Sequence, residues 1–180
     1  MSVSEYAQKL IFSGFLNLKE GKLELSDTRA VIIPTPFIGS FLEESYEENG
    51  EQIFDFMFEA GRSLAEKTVE RIAKENHMGK REFLSKMVDS ANLLGIGKLK
   101  IERVNFQSEL LEVSLRESPL VDEIEQSELS EDLDQPISLF LKGAVHGMGE
   151  EIFDNEVESE YISSEYMGDQ KTKVKVQTLN

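Results

Sequence analysis

The chain of 180 residues is long enough for one domain with a sizeable core and leaves little room for a second. It contains no cysteine, which excludes disulfides, thiolate metal ligands and cysteine nucleophiles. Its formal net charge of -16 argues against nucleic acid and anionic membranes as partners, because affinity for phosphates depends on lysine and arginine. We find neither an apolar stretch of membrane-spanning length nor a secretory signal, so we expect a cytoplasmic protein without a membrane span.

The first 28 residues are predicted to form an extension that consists of a short helix and a hairpin. Residues 4–15 carry apolar or small residues at helical spacing, a pattern that allows packing on the body or on a partner. Residues 15–18 and 22–25 alternate in polarity on either side of Gly21, which supplies the turn. The remaining residues, 29–180, are predicted to form the main domain.

Helices and antiparallel hairpins alternate in the predicted main domain. Apolar residues with a period near 3.6 indicate the helices, and alternating polarity indicates the strands. In chain order the elements are a strand at 29–33, helices at 35–49, 51–77 and 81–94, strands at 98–105 and 110–116, a helix at 136–153, and strands at 157–166 and 172–178 around a Gly168-Asp169 turn. Because hairpins predominate over β–α–β crossovers, the predicted fold class is α+β, an antiparallel sheet with a helical layer.

An acidic segment separates the second pair of strands from the last helix. Residues 109–134 contain ten acidic residues and one basic residue, Arg116. This composition is typical of a solvated loop or weak helix, and it would also suit a surface for a basic partner. The pattern does not select between the two interpretations.

Two glycines on the last predicted helix point to a close contact with its backbone. Gly143 and Gly147 lie one turn apart on the same face. A glycine inside a helix costs about 1 kcal/mol relative to alanine, so a pair on one face indicates that something approaches closely. A neighbouring helix, a subunit or a ligand would each explain the pair. We expect Gly61 to bring the long helix, 51–77, near this face.

The long helix has more large apolar residues than one face can hold. Phe54, Phe56, Met57 and Phe58 are nearly consecutive. One interpretation is a core face together with the surface of a homodimer. The other is the wall of an apolar cavity, since ligand pockets are lined mainly by apolar and aromatic groups. In that case the opposing wall would consist of three apolar residues of the last helix: Phe140, Val145 and Met148.

The polar residues do not form a recognisable catalytic pattern. His146 lies beside the glycines of the last helix, where it would either hydrogen-bond a ligand or be satisfied locally. We assign His77 a structural role at the end of the long helix, and Glu59 an ion pair with Arg62 three residues later. Hydrolase, phosphate-loop and dinucleotide motifs are absent from the sequence. We therefore expect no enzymatic activity, no metal and no cofactor.

Four segments in matching order resemble the 4-vinyl reductase domain, a small-molecule-binding module related in fold to subunits of the TRAPP vesicle-tethering complex. The segments are a strand–proline–helix opening at 31–44, an aromatic followed by Glu-Ala-Gly-Arg at 58–64, a helix-to-strand junction at 93–99, and the glycine-bearing helix with the closing hairpin. The resemblance covers residues 29–178. It implies the fold, and it implies binding of a small hydrophobic molecule as a sensor or carrier.

The chain lacks three cysteines that are common in the family it resembles. Domains of the family commonly carry cysteines at three positions that are Ser138, Ser164 and Thr172 here. Hydroxyls do not replace thiolates as soft-metal ligands, so a metal role does not carry over, but the three side chains should still lie close together. The alternative function is an adaptor subunit of a TRAPP-like assembly. The predicted ligand-binding residues are Phe54, Phe58, Gly61, Phe140, Gly143, His146, Gly147 and Met148.

Overall fold

The structure is a computed structural model that describes residues 16–25, 28–76, 79–93, 95–119, 130–165 and 169–179. The chain divides into two compact units, Met1–Pro34 and Thr35–Asn180. The predicted division into an extension of residues 1–28 and a domain of residues 29–180 stays a prediction. The predicted helix at 4–15 and the structural role of His77 lie outside the described residues.

The first unit contains a three-stranded antiparallel sheet in the order β1-β2-β3. Its strands are β1 (Leu16–Lys19), β2 (Lys22–Leu25) and β3 (Thr28–Ala30). The predicted hairpin is present, and Gly21 at its turn has a left-handed φ of 69°. The third strand ends earlier than the predicted 29–33, at Ala30, which pairs with Leu23 near the start of β2.

The second unit begins with three helices: α1 (Thr35–Asn49), α2 (Gln52–Asn76) and α3 (Lys80–Leu93). Gly50 separates α1 from α2 with a left-handed φ of 56°, and its amide donates a 2.7 Å hydrogen bond to the Tyr46 carbonyl. This is the left-handed cap that an Asn-Gly pair favours after a helix.

The remaining elements build a four-stranded antiparallel sheet covered by one long helix. They are β4 (Lys100–Asn105), β5 (Leu110–Leu115), α4 (Ser130–Phe153), β6 (Val157–Ser163) and β7 (Thr172–Thr178). The strands lie in the order β4-β5-β7-β6. Helix α4 packs on β5, β6 and β7, α2 packs on α4, and α3 contacts α2 and β4. The predicted α+β class, an antiparallel sheet of hairpins with a helical layer, is confirmed.

Helix α4 begins at Ser130, earlier than the predicted start at Pro136. Proline at a first helical position is common, which is why Pro136 suggested the start. The end of the acidic segment is therefore helical, and its residues 120–129 lie outside the described part of the chain.

The second unit has two apolar clusters. The main core joins α2, α3 and α4 to the inner face of the sheet, and its fully buried residues include Leu84, Leu111, Val145, Val174 and Val176. A smaller cluster, called the α1–α2 cluster below, consists of Leu42 and Ile53 with the partly buried Ile38, Tyr46, Phe54 and Met57.

The outer face of the four-stranded sheet is held by charge pairs. Lys171 just before β7, and Lys173 and Lys175 within it, lie 2.7, 2.5 and 2.7 Å from carboxylate oxygens of Glu102, Glu112 and Glu160 respectively. Hydrogen bonds from Lys171, Lys100 and Ser114 lower the pKa of Glu102 to about 2. Lysines thus offset part of the strong negative charge of the chain on this face.

Candidate functional site

Helices α2 and α4 approach each other closely at three glycines. A Cβ added at Gly147 would lie 2.7 Å from the Arg62 carbonyl oxygen, and one added at Gly143 would lie 2.8 Å from the Phe58 carbonyl carbon. Gly61 faces the α4 backbone in the same way. Real Cβ atoms essentially never come within 3.0 Å of another heavy atom in this way. The predicted close approach of the two helices is confirmed, and what contacts the glycines is a helix.

A two-pronged ion pair spans the same interface. The Arg62 guanidinium donates hydrogen bonds of 2.7 and 3.0 Å to the two carboxylate oxygens of Glu150. The hydrogen bond with Glu150 raises the pKa of Arg62. The predicted pair with Glu59 is also present at 3.5 Å, but Glu150, 88 residues away, is the closer partner. Each of the two partners follows an interface glycine closely, Gly61 and Gly147 respectively, and that spacing is the only signal the sequence offered.

His146 lies at the edge of this interface and is satisfied locally. Its Nδ1 is 3.1 Å from the hydroxyl of Ser159 on β6, and its Nε2 is 3.5 Å from a Glu150 oxygen. The Phe58 ring meets the imidazole edge-on at 5.3 Å between ring centres. Burial lowers the pKa of His146 below 6.5, Glu150 opposes this shift, and the positive Arg62 reinforces it. The imidazole is therefore neutral at neutral pH.

The eight predicted ligand-binding residues occupy three places. Gly61, Gly143, Gly147, Phe58, Phe140 and His146 lie along the interface of α2 and α4. Phe54 belongs to the α1–α2 cluster, where its ring stacks on Tyr46 at 6.0 Å. Met148 is buried in the main core. The structure does not gather all eight around one space, and their role in ligand binding stays a prediction.

A cavity of about 440 Å³ lies away from these residues. It is bounded by the start of α3, by the β4–β5 turn and by the end of α4. None of the eight predicted residues contributes to its walls. No pattern in the sequence joins its three segments, which are far apart along the chain.

The three positions that carry cysteine in the resembling family are buried here. Ser138, Ser164 and Thr172 are 7%, 6% and 2% exposed. Ser164 and Thr172 belong to one hairpin end, where the Glu165 amide donates a 3.1 Å hydrogen bond to the Thr172 hydroxyl and the Ser164 amide donates one of 2.9 Å to Asp169. Ser164 and Thr172 thus take part in a hydrogen-bonded turn at this end of the hairpin. Among the described residues, no three histidine or acidic side chains come together as a metal site requires.

Tyr161 on β6 forms a second polar contact with α4. The Lys142 ammonium lies 5.2 Å from the centre of the Tyr161 ring. Burial raises the pKa of Tyr161 to about 12, although an interaction with Ser138 opposes the shift. Within the described residues, no partner meets full hydrogen-bond geometry with its buried hydroxyl. The Tyr161 hydroxyl is therefore a buried polar group at the interface of α4 and β6 that lacks a well-formed hydrogen bond.

The comparisons with known proteins find relatives by structure alone. No protein-family model matches the sequence, and no curated protein matches it. The phenol-responsive sensory domain of the transcription activator PoxR, in complex with phenol, has a TM-score of 0.69 over 99% of this chain and 92% of that one, at 12% identity. None of the helices formed by the described residues combines the length and apolarity that a membrane crossing needs.

Two further solved structures are similar. A trafficking protein particle complex subunit 3 from Naegleria fowleri, covalently bound to palmitic acid, has a TM-score of 0.56 at 12% identity, over 81% of this chain and 95% of that one. A vinyl-4-reductase family protein from Methanocaldococcus jannaschii has a TM-score of 0.52 at 17% identity, over 84% and 85%. This chain therefore has the fold that vinyl-4-reductase family proteins and TRAPP subunits share.

Proposed function

We propose that this protein binds a small hydrophobic molecule beside the α1–α2 cluster, as a sensor or carrier. The observation that carries the proposal is the incomplete cover of this cluster. Only Leu42 and Ile53 are buried, while four large apolar or aromatic neighbours remain partly exposed. Each Å² of apolar surface that a ligand removes from water contributes about 25 cal/mol, so completing this cover favours binding.

The proposed walls continue from the cluster onto the interface of α2 and α4. Phe58 lies one turn after Phe54 on α2, and its ring contacts the neutral imidazole of His146. Phe140 lies on the facing side, with its carbonyl against Gly61. In the proposal the glycines hold the two aromatic walls together and Met148 packs behind them. A ligand hydroxyl or carboxyl would then replace the long 3.5 Å contact between His146 Nε2 and Glu150, while Ser159 keeps its place at Nδ1.

Two structural neighbours support this ligand class. The sensory domain with the similar fold was solved with phenol, and the trafficking subunit carries palmitic acid. An aromatic alcohol and a fatty acid are both mostly apolar, each with one polar end. That chemistry fits aromatic walls with one imidazole at their edge.

We also propose that binding is not followed by catalysis. A general base needs a free acceptor within hydrogen-bond reach of the substrate. Both carboxylate oxygens of Glu150 accept hydrogen bonds from Arg62, and burial together with the positive charge of Arg62 outweighs the support that Glu150 gives to His146 as a base. The pair of His146 and Ser159 alone does not make an activated nucleophile.

The test compares two phenylalanines that lie two residues apart on α2. Phenol and palmitate are the probes, and binding is followed by ligand-observed NMR and by amide shifts of α1 and α2. Phe58→Ala is expected to weaken binding roughly tenfold, equivalent to about 1.4 kcal/mol of lost contact. Phe56→Ala is the matched control, because the Phe56 ring is exposed. Phe58→Leu, which keeps most of the apolar volume, serves if the alanine variant folds poorly.

Equal binding by the Phe56 and Phe58 variants would contradict the proposed site, and absence of binding by either probe would contradict the proposed ligand class. Native mass spectrometry of the purified protein gives an independent check. A co-purifying lipid-like or aromatic mass is expected.

The second candidate is a structural or adaptor subunit of a TRAPP-like assembly in the cytoplasm, with a homodimer as its simplest form. Four large apolar residues of α1 and α2 favour it, since they are at least half exposed: Phe37, Phe41, Phe56 and Leu64. A specific dimer should bury at least about 1,000 Å² in total. Light scattering distinguishes the candidates, because Phe56→Ala should weaken self-association and leave phenol binding unchanged. A wild-type monomer at all accessible concentrations would contradict the dimer.

A further inference from the structure

The cavity of about 440 Å³ has a volume typical of small-molecule sites, which range from about 300 to 1,000 Å³. Three segments of the second unit border it: the start of α3, the β4–β5 turn and the end of α4. Its lining residues are Gly79, Lys80, Arg81, Phe106, Glu109 and Phe153. Below it is called the α3 cavity.

Two phenylalanines give the α3 cavity an apolar wall. The rings of Phe106 and Phe153 meet edge-on with 6.5 Å between their centres and 72° between their planes. Phe153 is anchored in the main core, and Phe106 packs against the same cluster. Because both rings are held by the core, the wall is rigid and offers aromatic surface to the apolar part of a ligand.

Two cations lie at the rim of this wall. The Arg81 guanidinium carbon is 5.5 Å from the centre of the Phe106 ring. Neither Arg81 nor Lys80 makes an ion pair with another residue in the described ranges. Stacking on an aromatic ring leaves the guanidinium edge free to bind a carboxylate in two-pronged fashion.

Glu109 also lines the α3 cavity, and its backbone is in a left-handed conformation. Its φ of 45° lies in the left-handed region, which residues other than glycine rarely adopt. Its carbonyl accepts a 3.3 Å hydrogen bond from the Thr178 amide, and its carboxylate accepts one of 3.4 Å from the Asn155 side chain. Its carboxylate thus lines the same cavity as the two cations, where one negative charge repels a second negative group on a ligand.

We propose that the α3 cavity binds an amphipathic organic carboxylate, with its apolar body on Phe106 and Phe153 and its carboxylate on Arg81 and Lys80. The carboxylate belongs at the rim because the inner wall offers only rings. The placement of Glu109 favours a single charged end over a dicarboxylate. This site is separate from the one proposed beside the α1–α2 cluster, and its test does not depend on that proposal.

The experiment uses naphthoate as the probe and three ligands to separate its features. Amide NMR of the whole chain should show shifts at residues 79–83 and 106–109 on addition of naphthoate. Naphthalenemethanol keeps the rings without the charge, acetate keeps the charge without the rings, and naphthalenedicarboxylate adds a second charge. All three should bind more weakly than naphthoate. Equal binding of the alcohol, or no shift with naphthoate at millimolar concentration, would overturn the proposal.

Three charge-neutralising variants then test the residues. Arg81→Gln should weaken naphthoate binding roughly fivefold, as expected for a half-solvated ion pair. Glu109→Gln keeps the backbone contacts and should tighten binding roughly twofold to fivefold, because a like charge is removed. Lys86→Gln is the matched control on α3, since Lys86 pairs with Glu82 and does not line the cavity. An Arg81→Gln effect no larger than that of Lys86→Gln would refute the assignment, as would weaker binding by Glu109→Gln.

Discussion

Substitution of Gly143 by alanine tests the packing of α2 against α4 most directly. The added Cβ would lie 2.8 Å from the Phe58 carbonyl carbon and closer still to its oxygen, and both atoms belong to the α2 backbone. Ordinary contacts of this kind begin at 3.4 Å. Backbone atoms cannot turn away as a flexible side chain can, so the helices must separate by about 1 Å or more.

The size of the effect follows from three contributions. Overpacking of a tight interface costs about 1–3 kcal/mol. Separation by 1 Å would also stretch the hydrogen bonds of 2.7 and 3.0 Å between Arg62 and Glu150, which contributes roughly another 1 kcal/mol because Arg62 is part-exposed. Alanine returns about 1 kcal/mol through its higher helix propensity. We expect Gly143→Ala to lower the free energy of unfolding by about 1–3 kcal/mol.

Urea denaturation followed by circular dichroism measures this change as a lower midpoint at an unchanged slope. Gly79→Ala is the matched control, because no atom lies within 4 Å of its added Cβ, and its effect should stay within about 0.5 kcal/mol. The double variant Gly61→Ala with Gly143→Ala should cost less than the sum of the single variants, since one helix separation relieves both contacts. A Gly143→Ala protein as stable as wild type would show that the helices do not pack this closely.

Three further predictions concern single side chains. Because the folded-state pKa of His146 lies below its unfolded value of 6.5, the unfolded state binds more protons in between. Stability should therefore fall as the pH drops through 6.5 toward the lower folded-state pKa. His146→Gln, which leaves the facing Glu150, Arg62 and Glu59 in place, should flatten that slope, and an unchanged slope would contradict the assignment. Tyr161→Phe should be neutral or stabilising by up to about 1 kcal/mol in urea denaturation, because the buried hydroxyl makes no well-formed bond; a loss above about 1 kcal/mol would reveal a partner. Asp154→Gly should raise the melting temperature, since the left-handed φ of 55° suits glycine and the negative end of α4 disfavours an acidic residue; a lower melting temperature would oppose this reasoning.

Local sequence patterns were sufficient for most of the elements. The apolar period of α2, the alternation of β5 and β7, and the Asn-Gly stop after α1 are each encoded within a few neighbouring residues. The start of α4 was harder to predict, because Ser130 and Pro136 both carry start signals and only the structure shows which is used. The spacing of Gly143 and Gly147 predicted a close approach, because two glycines on one helix face lower the stability of the helix unless another group packs against its backbone there.

The sequence by itself determined the faces of the elements, but the tertiary structure decided which faces meet. The hydrogen bonds between Arg62 and Glu150 join residues that are 88 positions apart, and the sequence around either residue does not identify its partner. Phe54 and Met148 suit one apolar wall equally well by composition, yet packing divides them between the α1–α2 cluster and the main core. The α3 cavity joins three segments that are distant along the chain, so nothing in its local patterns predicted it. The physical reason is that hydrophobic burial is not directional. An apolar pattern in the sequence indicates that a face of a helix or strand must be buried, but only the packing of the whole chain selects which element buries it.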